Sequence, residues 1–198
     1  MILKNTKQNR QLAAVILKRG GVGVMPSDTL YGIMGSALNP VAVKRIYKLR
    51  KRNIHKPFLV LIKSPSDLKK FGIAYRGDSK IVGNRFWPGG VTIIFPCPNK
   101  KFSYLHRGTN TVAFRVPKSK WLREFLRISG PLVAPSANWE GSEPALTVTQ
   151  SRKYFRNDIE FYLDGNTRKG LPSTVIGLGK SRIVVVRQGR VRIPSNVL

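Results

Sequence analysis

Two apolar runs, VGVM at 22–25 and FLVLI at 58–62, flank a helix-forming segment and have the length and apolar make-up of buried strands. Pro26 ends the first and Pro57 leads into the second. Between them, Asn39 followed by Pro40 marks a helix start, because the amide side chain caps free N–H groups and proline at the first helical position needs no donor. Val43, Ile46 and Tyr47 then recur at spacings of three and four and give that helix one apolar face. A strand–helix–strand unit of this kind points to an α/β architecture, and it also decides where the polar residues go. Ser27, Asp28 and Thr29 follow the end of the first strand, while Arg50, Lys51, Arg52 and Lys56 follow the end of the helix. Hydroxyls beside dense positive charge are what a nucleotide site without a phosphate loop needs. The GGVG at 20–23 is no such loop: it lacks the Lys-Ser/Thr pair and precedes its strand, so Gly20-Gly21 reads as a helix stop. Plainer readings stand beside these, since Ser and Asp after Pro26 also suit a turn and cations at a helix end complement its dipole.

TVAFRVP at 111–117 permits the most direct derivation. As a strand it turns Val112, Phe114 and Val116 to one side and Thr111, Ala113 and Arg115 to the other. A hydroxyl and a guanidinium then share a surface, with space for a ligand over the small residue between them. Elsewhere, Leu12, Val15, Ile16 and Arg19 predict an amphipathic helix over 7–19. Residues 64–86 read as two short helices, and WPGG at 87–90 as a turn launching VTIIF. Residues 98–110 read as a polar, basic loop, either closing over a site or touching RNA, or lying plainly on the surface. A helix over 119–128 buries Leu122, Phe125 and Leu126, and PLVA is a short strand ending in Pro135-Ser136-Ala137-Asn138, where Ser and Asn suit a turn cap. SRKYFRN at 151–157 adds a basic helical surface and EFYLD another strand. STVIGL and RIVVVR pair as a hairpin through Gly179-Lys180-Ser181 and are expected to close the sheet, with Ser173 and Arg187 as polar groups beside it. The expectation is a single α/β domain over 1–198 with a mixed, twisted sheet.

Charge and composition narrow the chemistry. Thirty-six Lys and Arg against nine Asp and Glu give a formal charge of +27, which favours a polyanionic partner, nucleic acid first, over compositional drift. With so few carboxylates and no His/Asp/Glu cluster at ligand spacing, a two-metal nuclease or polymerase is disfavoured. His55 and His106 are isolated, which leaves a Ser or Cys triad little to draw on. Cys97 is the single cysteine, so no internal disulfide can form, and it reads as structural. No apolar stretch is long enough to span a membrane and the N-terminus lacks a signal-peptide core, so a soluble, cytoplasmic protein is expected.

PSDTLYG, the RKR at the helix end, KPFLVLI, WPGGVTIIF, TVAFRVP, PLVAPSAN, STVIGL and VVVRQG occur in the order found in YrdC-like threonylcarbamoyl-AMP synthases, and the chain resembles that family over nearly its whole length. The resemblance implies the YrdC-like fold with a basic concave face. It further implies a reaction joining L-threonine, bicarbonate and ATP, with Mg2+, into L-threonylcarbamoyladenylate and pyrophosphate. The product would pass to a downstream threonylcarbamoyl-transferase complex acting on tRNA. Carried over residue by residue, it implies ATP contacts at Arg50, Arg52, Lys56, Thr111, Ser136, Asn138 and Arg187, and threonine contacts at Ser27, Thr29, Arg115 and Ser173. Arg52, Arg115 and Ser136 would carry the chemistry. Asp28 is a candidate for Mg2+ or for the amino group. Arg50 departs from the family's Lys-x-Arg, a lysine role open to Lys48 or Lys51, and Pro172 replaces a frequent glutamate. The rival readings are a non-catalytic YrdC-like RNA-binding or ribosome-assembly protein and a generic basic RNA-binding protein.

Overall fold

In the computed structural model, which describes residues 1–168, 170–179 and 182–194, ten strands join in one mixed sheet. They are β1 (Ile2–Lys4), β2 (Val22–Pro26), β3 (Tyr31–Ser36), β4 (Leu59–Leu61), β5 (Val91–Pro96), β6 (Thr111–Arg115), β7 (Leu132–Val133), β8 (Phe161–Asp164), β9 (Thr174–Gly179) and β10 (Arg182–Arg187). Their order across the sheet is β1-β8-β2-β3-β7-β4-β6-β5-β9-β10. β1 with β8, β8 with β2, β4 with β6 and β5 with β9 run parallel; the remaining pairs are antiparallel. The helices are α1 (Lys7–Lys18), α2 (Pro40–Leu49), α3 (Asp78–Phe86), α4 (Ser103–His106), α5 (Lys120–Ser129) and α6 (Val148–Phe155), with a 3-10 helix at Pro65–Phe71.

Period-two alternation sends each strand's apolar residues to opposite faces. Val24, Ile33, Val60, Ile93, Phe114 and Ile176 belong to one core with Val43, Ile46 and Tyr47 of α2. Asn39 starts that helix as its sequence requires, its Oδ1 accepting from Val41 N at 2.9 Å and Ala42 N at 3.1 Å, a cap worth about 1 kcal/mol. On the other face, Met25, Met34, Leu61, Leu132 and Leu163 pack with Ala13, Ala14 and Leu17 of α1 and with Leu122, Phe125 and Leu126 of α5. This second layer stops short of β5, β6 and β9, whose residues on that face stay open to a cavity.

Four expectations change. The buried stripe of α1 is Ala13, Ala14 and Leu17, whereas Leu12 is 44% exposed and Val15 36%; alanine permits the close approach to α5 that bulkier neighbours would prevent. The β9–β10 hairpin does not close the sheet. Among the described residues β10 pairs only with β9 and forms an edge on which Val184, Val185 and Val186 are exposed. Residues 98–110 are not a plain loop: a short 3-10 turn and α4 anchor Phe102 and Leu105 in the core, and Tyr104 donates its hydroxyl to Ala37 O at 3.0 Å. β1 and β3 are strands that the sequence reading left out. The stop after α1 stands as expected, with Gly20 at φ +94° and its N–H donated to Leu17 O. The hairpin turn at Lys180-Ser181 and Lys169 lie outside the described residues.

Candidate active site

Strand register builds the site floor. β6 lies between β4 and β5 with Leu59 opposite Ala113 and Leu61 opposite Arg115 on one side, and Ile94 opposite Ala113 on the other. Ala113 therefore sits low between Leu59 and Ile94, and the cavity of about 500 Å3 opens above it. That volume suits a small-molecule site. Met34, Leu59, Leu61 and Ile94 give it an apolar floor, and the polar residues stand around the rim. All the ATP and threonine contacts expected at the site line this cavity except Lys56 and Asn138, and the candidate Asp28 does not line it either.

At one end stands Arg115, only 3% exposed. Its Nη2 lies 2.9 Å from Asp28 Oδ1 as an ion pair and its Nη1 3.5 Å from Thr29 Oγ1, while Nε has no partner. Burial pulls its pKa down, and Asp28 opposes that shift. The other oxygen of Asp28 accepts from Lys118 N at 2.8 Å and its carbonyl from Arg190 Nη1 at 2.7 Å. Asp28 thus orients a buried cation. Ser27 serves the turn itself, its Oγ donating to Leu30 O at 2.7 Å and accepting from Thr29 N and Leu30 N. Thr29, not Ser27, is the hydroxyl turned toward Arg115.

At the other end, Arg50, Arg52 and Arg187 gather around Ser136 and Ser173. Arg50 is 3% exposed: Nε donates to Asn138 O at 3.0 Å, and Nη2 to Asn138 Oδ1 at 3.1 Å and Ser136 Oγ at 3.3 Å. Its Nη1 is buried without a partner, an unmet donor that an anion's oxygen would satisfy. Burial, then the charge of Arg52, pull the Arg50 pKa down to about 10, which leaves it cationic at neutral pH. Arg187 donates from Nη2 to Ser173 O at 2.8 Å and Oγ at 3.3 Å, and its pKa is lowered by burial and by Arg52. Three arginines that repel one another beside a cavity favour a polyanion there.

Lys56 and Asn138 work outside the cavity. Lys56 Nζ is bound to Glu140 Oε1 at 2.9 Å, and Asn138 ties its own loop together through Nδ2 to Trp139 O and Ser142 O. Neither Lys48 nor Lys51 lines the cavity: Lys48 is exposed and Lys51 stacks its ammonium 3.7 Å above the Trp139 ring. The fork of Arg50, which holds Ser136 and Asn138 at once, is geometry that a lysine ammonium lacks. Thr92 and Thr109 also line the cavity and escaped the sequence reading. Thr92 Oγ1 lies 2.8 Å from Ser173 Oγ, and the alternation of VTIIF, read as TVAFRVP was, would have placed it on this face.

Among the described residues no three His, Cys, Asp or Glu side chains gather where they could hold a metal, and Asp28 is committed to Arg115. The residues present therefore do not fit a resident Mg2+ ion. Cys97 is buried and points at Phe71 O, and burial pushes its thiol pKa up, as for a structural side chain.

The Sua5/YciO/YrdC family model, described as "Telomere recombination", matches residues 15–189. The threonylcarbamoyl-AMP synthase of Pyrococcus abyssi is 31% identical over 181 residues, covering 90% of this chain and 53% of that protein. The synthase of Thiobacillus denitrificans is 33% identical over 171 residues, covering 85% of this chain and 90% of that one. The crystal structure of P. abyssi Sua5 complexed with L-threonine superposes with a TM-score of 0.87 at 29% identity, over 96% of this chain and 57% of the other. The chain thus spans about half the length of its P. abyssi relative. With a family match over most of its length and a sheet that superposes on a solved relative, the chain belongs to the Sua5/YciO/YrdC family.

Proposed function

We propose that the cavity binds L-threonine and ATP and forms L-threonylcarbamoyladenylate from them and bicarbonate. One observation carries this reading: four arginines line the cavity and, among the described lining residues, no carboxylate does. Such a wall suits a substrate set bearing a carboxylate and a triphosphate. Arg115 and Thr29 hold the amino-acid carboxylate, a task for which a fixed guanidinium is well shaped. Arg50, Arg52, Arg187 and Ser136 hold the phosphates, and the apolar floor excludes water from between the reactants.

In the proposed sequence the threonine amine adds to bicarbonate, losing water to give a carbamate. A carbamate oxygen then attacks the α-phosphorus, the bond to the bridging oxygen breaks, and pyrophosphate leaves with that electron pair. The chain contributes positioning and positive charge where negative charge builds on the leaving group. No step runs through a protein-bound metal; Mg2+ belongs with the nucleotide's own phosphates.

The test is pyrophosphate release by the purified chain. Release is expected only with ATP, threonine and bicarbonate together, and ATP and threonine should each raise the melting temperature. Pyrophosphate release without threonine would overturn the threonine assignment, and no thermal response to either ligand would overturn the reading in favour of the non-catalytic RNA-binding alternative.

A further inference from the structure

The basic segment after α2 and the loop after β7 are clasped by a carboxylate that the proposed reaction does not use. Glu140 Oε2 accepts from Asn53 N at 2.7 Å, and Oε1 accepts from Lys56 Nζ at 2.9 Å and lies 3.7 Å from Arg52 Nη1. Its own N–H is donated to Arg50 O at 2.9 Å. Arg52 lines the cavity but neither Lys56 nor Glu140 does, so the carboxylate holds one cation outside the cavity and lies close to the other. The Lys56 side chain is 59% exposed and that of Glu140 25%, so their pair is partly solvated. Arg50, by contrast, is buried and fixed by Asn138.

We propose that Glu140 is an internal counter-anion which a polyphosphate displaces from Lys56 and Arg52 when it enters the cavity. This deepens, and rests on, the assignment of that end to ATP phosphates. A partly exposed ion pair is worth at most about 1 kcal/mol, whereas a triphosphate brings several charges to a wall that carries none of its sign. Lys56 has the long, flexible stem needed to change partner. Arg50 and Asn138 form the fixed half of the clasp, and Lys56 and Arg52 the half that exchanges. Bonds from Asn53 N–H, then from Lys56, hold the Glu140 carboxyl below the usual glutamate range. It therefore stays ionised near neutral pH, and the exchange is driven by anions and not by protons. The device favours ligands with enough charge to outcompete a carboxylate.

Calorimetric titration of the full chain with ATP and with inorganic tripolyphosphate tests the proposal. Glu140→Gln is expected to bind both about fivefold more tightly, the fold-change for removing a competing pair worth about 1 kcal/mol. The control Glu143→Gln removes an equal charge from an exposed side chain of the same loop and should leave both affinities unchanged. In a Lys56→Ala background the gain from Glu140→Gln should shrink, because one of the two exchanged cations is gone. If Glu140→Gln lowers the melting temperature sharply, Glu140→Asp, which keeps the charge but falls short of Lys56, should still tighten tripolyphosphate binding. A wild-type chain that binds ATP, with Glu140 variants binding no more tightly, overturns the counter-anion and leaves the ATP site standing. A chain in which neither wild type nor variant binds ATP or tripolyphosphate overturns both.

Discussion

Arg115 lines the cavity, is 3% exposed and is paired with Asp28, and the proposed reading gives its charge to the threonine carboxylate. Arg115→Ala is expected to raise the threonine concentration needed for half-maximal pyrophosphate release by about thirtyfold or more. That corresponds to the loss of about 2 to 4 kcal/mol when a charged hydrogen-bonding partner leaves an enclosed site. Circular dichroism should report an intact fold, and an unchanged threonine requirement would remove Arg115 from the site. The position of this residue was legible because a strand's period of two is fixed by backbone geometry alone: Thr111, Ala113 and Arg115 had to share a face. Lys56 was legible as a charge but not as a direction. Its partner Glu140 lies 84 positions away in the chain, and no local pattern announces such a pair. Arg50 looked like a substitute for a lysine, yet its partners Asn138 and Ser136 show that its planar fork organises the opposite loop.

Helix α1 shows where element-level reading loses precision. Its existence and its Gly20 stop follow from local rules, but its buried face is set by α5, which meets it more than a hundred residues later in the chain. Leu17→Ala should cost about 2 to 5 kcal/mol, as a fully buried leucine truncated in a packed layer does. Leu12→Ala, at a position 44% exposed, should cost less than about 1 kcal/mol. Urea denaturation of the two variants reads the difference directly, and equal losses would mean that the helix is rotated relative to this structure. β3 was missed for a related reason. All six of its residues are buried, with Gly32 and Gly35 among them, so no alternation of polar and apolar residues marks the strand. β10 was recognised as a strand, yet whether it closes a sheet or ends one depends on pairing that its own sequence does not encode.

The chain's net charge of +27 far exceeds what the cavity and its ion pairs consume. Four arginines line the cavity, and the described ion pairs engage Arg45, Arg52, Lys56, Lys63, Lys70 and Arg115. Lys100, Lys101, Arg127, Arg152 and Lys153 are exposed and take part in none of them, whereas Arg123 is turned back onto Pro117 O and Lys118 O. Free cations on this scale raise the energy of the compact chain through self-repulsion, and a nucleic-acid backbone relieves it by exchanging its counterions for them. A transfer RNA should therefore bind with an affinity that falls by roughly 0.7 to 0.9 log units per log unit of salt for each phosphate neutralised, with little dependence on sequence. ATP, held in the cavity, should compete only weakly. Arg152→Glu with Lys153→Glu, at exposed positions in the C-terminal half of α6, should lower RNA affinity and flatten the salt slope while leaving the ATP requirement for pyrophosphate release unchanged. Filter retention across a series of salt concentrations measures both quantities. Retention that is absent at low salt, or that ATP abolishes, would mean that these cations do not form an RNA-binding surface separate from the cavity.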